Sequence, residues 1–185
     1  MSSELRSQKK KQRSMAKAKT KKYYKCSRCY KKTAHDKVCI IDDKPVCVTC
    51  IYGKYKPFKI YPIGVVRNEL KRAKRGFGTV GKKGISRIEL LESQKPFLYK
   101  LEEEKNITIV YYLHKTNAVR SVFHRGLEGK KVGVFASRTP YRLSKIGIQD
   151  VRLLKIEENT LYVDGLDAVN GTPILDIKMK WSPFS

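Results

Sequence analysis

The chain has 185 residues, 41% of them apolar, which is enough for one medium domain with a buried core plus a small module. No apolar run approaches the roughly 18 residues a membrane span needs, and the N-terminus lacks the apolar stretch of a secretory signal, so a cytoplasmic protein with no membrane partner is expected. The formal net charge is +24 and uneven: residues 1–59 hold 18 Lys and Arg against 4 acids, and residues 60–185 hold 23 against 13. A polycation of this kind draws phosphate by counterion release, which makes RNA or DNA the expected partner. An anionic membrane is the rival, but Leu5, Met15 and a few alanines are too little apolar surface for an amphipathic anchor.

Residues 1–25 carry ten basic residues and one acid with almost nothing to bury, so they predict a basic arm that orders on a partner. From 26 to 50 the sequence reads CSRCYKKTAHDKVCIIDDKPVCVTC, two C-x-x-C pairs separated by 17 residues. That spacing predicts a zinc ribbon in which Cys26, Cys29, Cys47 and Cys50 supply four thiolates at tetrahedral geometry. A cytosolic setting argues against disulfides, the missing βαβ context argues against a redox pair, and iron is the alternative metal. Cys39 is the odd thiol and reads as a small hairpin core residue, and a complete set of four leaves His35 unnecessary. Between the pairs, KVCIIDDKPVC predicts a hairpin turning at Asp42 and Asp43. Residues 51–59, IYGKYKPFK, read as a basic aromatic linker whose Tyr52, Tyr55 and Phe58 could stack on bases or pack between modules.

Residues 60–185 read mainly as strands, at 59–67, 85–91, 107–113, 118–123, 131–136, 148–157, 160–164 and 173–179, with a single helix at 93–105. So many short strands in about 125 residues predict a mainly β fold, a closed or nearly closed small barrel with one short helix. Between two of them, VFASRTPYRLSKIGIQD (134–150) raises the question of site or connector: Pro140 restricts one φ and Gly147 would relieve another. DAVNGTPILD (167–176) places two acids, Asp167 and Asp176, around an Asn170-Gly171 turn. His114 ends an apolar strand, where a rim or core histidine competes with a catalytic one.

Six pieces, YPIGVVRN (61–68), ISRIELL (85–91), YYLH (111–114), VGVFASRTPYR (132–142), IGI (146–148) and VDGLDAVNGTPILDIK (163–178), together resemble the TsaA-like domain of TrmO-type tRNA methyltransferases. The resemblance implies a small barrel that binds S-adenosylmethionine, usually as a homodimer, and methylates N6 of threonylcarbamoyl-adenosine in tRNA. It implies that Arg138, Pro140, Arg142, Ile146 and Gly147 line the cofactor pocket. Asp167, Asp176 and His114 are then the bases to test, in that order. The family's loop usually reads Arg-Pro-Asn-Pro-Ile-Gly, whereas Leu143, Ser144 and Lys145 follow Arg142 here. The alternative is therefore a catalytically silent RNA- or ribosome-associated protein, in which arm, ribbon and barrel form an rRNA-binding scaffold.

Overall fold

The computed structural model describes residues 22–71, 84–126 and 128–181. Positions 1–21 of the expected basic arm lie outside the described residues. By its internal contacts the chain divides between Tyr55 and Lys56 into two units.

The described residues of the first unit form two hairpins and one helical turn. β1 (Tyr23–Lys25) pairs antiparallel with β2 (Lys32–Ala34), and β3 (Val38–Ile41) with β4 (Lys44–Cys47). Asp42 and Asp43 connect β3 to β4 with φ of 47° and 62°, the paired left-handed conformation that matches a two-residue hairpin to strand twist. α1 (Val48–Tyr52) follows directly and ends at Gly53, so the first two positions of the expected linker belong to a helix. Cys26, Ile41, Val46 and Cys47 are this unit's buried apolar residues among those described.

The second unit is a closed six-stranded barrel. Its strands are β5 (Gly64–Arg67), β6 (Ile85–Leu90), β7 (Asn106–Tyr112), β10 (Ile146–Glu157), β11 (Thr160–Asp164) and β12 (Pro173–Met179). The order around the wall is β10-β11-β6-β5-β12-β7, and β7 closes onto β10, every pair antiparallel. Alternation fills the interior: Ile88 and Leu90 from β6, Ile107, Ile109 and Tyr111 from β7, Leu161 and Val163 from β11, and Ile174 from β12 all point inward. At roughly 1.5–3 kcal/mol for each large side chain removed from water, this interior is what holds the barrel. The 118–123 and 131–136 runs stay out of the wall, contributing β8 (Val122–His124) and β9 (Lys131–Gly133) as a separate two-stranded hairpin.

The stretch expected as a helix at 93–105 is helical only in two 3-10 segments, Glu92–Leu98 and Leu101–Glu103. Pro96 lies inside the first, where it supplies no N–H, and Lys100 takes a left-handed φ of 63° between them. Leu98 is buried while its neighbour Phe97 is exposed, so these two apolar residues do not share one buried face. No helix among the described residues is long and apolar enough to cross a membrane.

Candidate functional site

A cleft of about 190 Å³ opens at one end of the barrel. One wall is the end of β7 and the turn after it, from Tyr111 through Leu113, His114, Lys115 and Thr116. The other is the β11–β12 connection, with Asp167, Ala168, Val169 and Thr172, and Lys71 lies at the edge. The connection is pinned by Asn68, whose amide Nδ2 donates to the Ala168 carbonyl at 2.8 Å and to the Ser86 hydroxyl at 2.9 Å. The Asn68 backbone N–H donates to Asn170 Oδ1 at 3.2 Å, and Asn170 N–H donates to the Leu70 carbonyl at 2.8 Å. From the other side Gln149 donates to the Gly165 carbonyl and accepts the Asp167 N–H at 2.8 Å. A loop fixed at both edges can present a side chain in a set direction.

Two of the three expected bases meet in this cleft. Asp167 keeps access to solvent at the mouth, while burial among the walls pushes its carboxyl above the ordinary range. His114 has its ring Nδ1 buried with no hydrogen-bond partner among the described residues, an orphan polar atom beside an open cleft. Tyr111, whose role the sequence left unread, is buried; desolvation first, and then the charge of Asp167, push its phenol up to about 12. Its ring lies on Gly147, its partner across the β7–β10 pair: a Cβ at 147 would come within 2.4 Å of the ring. Gly147 is therefore needed for the close approach of Tyr111 and not for an unusual φ, as its sequence context had suggested; the left-handed residue is Lys145, at φ 53°. That backbone is closed to proline, whose ring holds φ near −65°, and the Lys145 N–H that proline would lack donates to the Arg142 carbonyl at 3.3 Å. This loop thus follows a path that the family's Pro-Asn-Pro pattern could not adopt.

The remaining expected residues lie elsewhere. Asp176 follows a bulge in β12, half-exposed, paired with Lys178 at 2.7 Å and accepting the Ile177 N–H at 2.9 Å, and it does not line the cleft. Arg138 and Pro140 are exposed and outside the cleft lining. Arg142 folds back on its own loop, its guanidinium donating to the Ser137 carbonyl and lying 5.9 Å from the Phe135 ring centre. Ile146 opens β10 opposite Tyr112, and Gly147 reaches the site only through Tyr111. Asn68 and Tyr111 were missed because their roles depend on partners 18 to 102 residues away or across a strand pair, which no local pattern announces.

In the first unit, the thiols of Cys26, Cys29, Cys47 and Cys50 lie within 4.8 Å of one another. Cys26 and Cys29 come from the β1–β2 knuckle, Cys47 ends β4 and Cys50 sits in α1. Backbone N–H groups of Cys29, Cys47 and Arg28 aim at the Cys26 sulfur and hold its thiol down to about 6. Arg28 clamps the two halves by donating to the Cys50 carbonyl at 3.1 Å. Cys39 and His35 are outside this cluster. Four sulfurs converging at this spacing form the donor set that tetrahedral zinc takes.

Residues 68–184 match the model of the tRNA-methyltransferase O N-terminal domain. The chain belongs to the TrmO N-terminal domain family. An S-adenosyl-L-methionine-binding protein of Archaeoglobus fulgidus is 33% identical over 124 residues, 66% of this chain and 88% of that protein. The tRNA (adenine(37)-N6)-methyltransferase of mouse is 36% identical over 95 residues, 50% of this chain but 22% of that enzyme. The crystal structure of TrmO from Pseudomonas aeruginosa superposes with a TM-score of 0.55 at 27% identity, covering 70% of this chain and 58% of that one. The match begins at residue 68, directly after β5, so the cysteine-bearing unit lies outside the family region.

Proposed function

We propose that the barrel binds S-adenosylmethionine and transfers its methyl group to N6 of threonylcarbamoyl-adenosine in tRNA. The observation that carries this reading is the single cleft shared by the Asp167 carboxyl and the orphan His114 nitrogen, in a chain of the TrmO family. The lining suits the cofactor's chemistry: Leu113, Ala168, Val169 and the Tyr111 ring offer apolar surface to a nucleoside, and Asp167 offers an anion to a sulfonium. Lys71 and Lys115 suit the cofactor's carboxylate or an RNA phosphate. When bound, the cofactor supplies an electrophilic methyl on a positively charged sulfur. The chain's own part is to orient the adenine and to accept the proton that N6 sheds, Asp167 serving first and His114 second. Asp176, tied to Lys178, would act on strand geometry rather than on the substrate.

A cleft of about 190 Å³ encloses part of such a cofactor. Arg138, Pro140, Arg142 and Ile146 would border the remainder, completed by a second copy in a homodimer through the barrel. The four cysteines hold one zinc ion, and the basic residues of 1–59 supply most of the affinity for RNA, in the cytoplasm. The second reading, a catalytically silent RNA- or ribosome-bound scaffold, draws on the left-handed Lys145 in the loop where the family has proline.

Methyl-labelled cofactor is incubated with the full chain and tRNA, with or without the threonylcarbamoyl group. Label entering only the modified tRNA, and lost in Asp167→Asn, supports the enzyme; tight binding of both tRNAs with no label entering either gives the scaffold.

A further inference from the structure

We infer that the outer face of the β1–β2 hairpin is a stacking platform for unpaired RNA nucleotides, with Tyr23 and Tyr30 each taking one base and Lys25 and Lys32 the flanking phosphates. Side chains alternate between faces along a strand, and directly opposed residues of an antiparallel pair share a face. Lys25 stands directly opposite Lys32, and Tyr23 opposite Ala34, so Tyr23 and both lysines occupy one surface. Two like charges placed opposite each other repel, and neither lysine has an ion pair among the described residues. Such a pair is relieved by an anion from outside the chain.

The rings argue for what carries that anion. Tyr23 is 47% and Tyr30 69% exposed. Tyr30 is held at φ 60° at the end of the Cys26–Cys29 knuckle, its N–H donating to the Cys26 carbonyl at 2.9 Å, a left-handed geometry that is strained for a residue with a β-carbon and that sets the direction in which its side chain leaves the backbone. Lys32 Nζ lies 5.0 Å from the Tyr23 ring centre, and Lys25 Nζ 5.6 Å from that of Tyr30. An ammonium at that range stays within reach of the phosphate of a nucleotide whose base takes its place on the ring. Tyr24 differs: it is half-buried on the opposite face, 5.7 Å from the His35 ring, and belongs to the hairpin's own packing. Exposed rings interleaved with unpaired lysines are the chemistry that holds single strands, because every base has a π-face, whereas a duplex keeps its bases stacked on each other.

The inference rests only on the RNA-binding part of the proposed function, and no arm of its test reads methyl transfer. The full-length protein is titrated by fluorescence anisotropy into a labelled ten-nucleotide oligouridylate and, separately, a labelled RNA duplex. The Tyr23→Ala/Tyr30→Ala variant should lose about tenfold in single-strand affinity for each ring removed, with duplex affinity unchanged. Tyr23→Phe/Tyr30→Phe, which keeps both rings and the fold, should bind oligouridylate as the parent does. Lys25→Gln/Lys32→Gln should flatten the single-strand log-log salt slope by about 1.4, roughly 0.7 for each phosphate contact. In the unmutated protein, 4-thiouridine cross-links should map to Tyr23 and Tyr30. Parent-like single-strand binding by the alanine pair, equal losses on strand and duplex, or cross-links only elsewhere would overturn the platform. Polyglutamate competing as well as oligouridylate would assign the face to an acidic peptide instead.

Discussion

The two units differ in how much they bury. Among the described residues, the barrel buries a cluster of thirteen behind a wall with no free edge, while the cysteine unit buries four apolar side chains, two of them cysteines in the four-thiol cluster. A core that small does little to offset the entropy of ordering some thirty residues, and the proposed zinc ion would make up the difference. The difference also sorts function: the barrel holds a cleft with convergent acid and base, and the cysteine unit presents exposed rings and cations. On the proposed reading, what the barrel needs is geometry and what the small unit needs is an ion.

The largest expected effect separates the two by that need. A strong chelator should remove on the order of 10 kcal/mol from the cysteine unit, the range of structural zinc sites, and abolish amide protection over 22–52 while the barrel strands stay protected. Metal analysis should find one equivalent in Cys39→Ala and much less in Cys47→Ala; full retention in Cys47→Ala would remove the ion from the comparison. The converse break is Ile109→Ala, which empties a fully buried position on β7 and should cost the barrel about 2–5 kcal/mol with the metal content unchanged. Coincident loss of both units in either experiment would mean that they do not fold separately.

A smaller effect tests the loop. Lys145→Pro should destabilise the barrel by more than about 1 kcal/mol in denaturant titration, since φ 53° and a donated N–H are both lost to proline, while Lys145→Gly should stabilise it by up to about 1 kcal/mol. The smallest effect concerns Asp167. Its folded-state pKa is raised, so the charged form is disfavoured by folding. Below its ordinary value of 3.8 the group is protonated whether folded or not and no cost arises; the cost grows as pH rises past 3.8 and is complete once the folded carboxyl has ionised. Asp167→Asn should therefore raise the melting temperature at pH 7 and give no difference at pH 3, an isosteric change that stabilises the fold while removing the base.

The β character of the barrel was legible because alternation in ITIVYYL and ISRIELL is a direct record of which face is buried. The hairpin at Asp42-Asp43 and the grouping of four cysteines were legible for the same local reason: spacing carries the geometry. The 3-10 form of 92–103 was not, since apolar spacing outweighed Pro96 and nothing in sequence marks Lys100 as left-handed. At the site, Asp167 and His114 were visible as chemistry, but Tyr111 over Gly147 and the Asn68 clasp depend on cross-strand register and long-range hydrogen bonds. Asp176 carried the same signature as Asp167, and only the β12 bulge and Lys178 separate their surroundings.

The most direct test of the account is calorimetric titration of S-adenosylmethionine into the full-length protein, beside Asp167→Asn, His114→Ala and Asp176→Asn. The cleft assignment predicts that the parent binds, that Asp167→Asn and His114→Ala each weaken binding at least about tenfold, and that Asp176→Asn binds as the parent does. No binding by the parent, or loss in Asp176→Asn with Asp167→Asn intact, would contradict it.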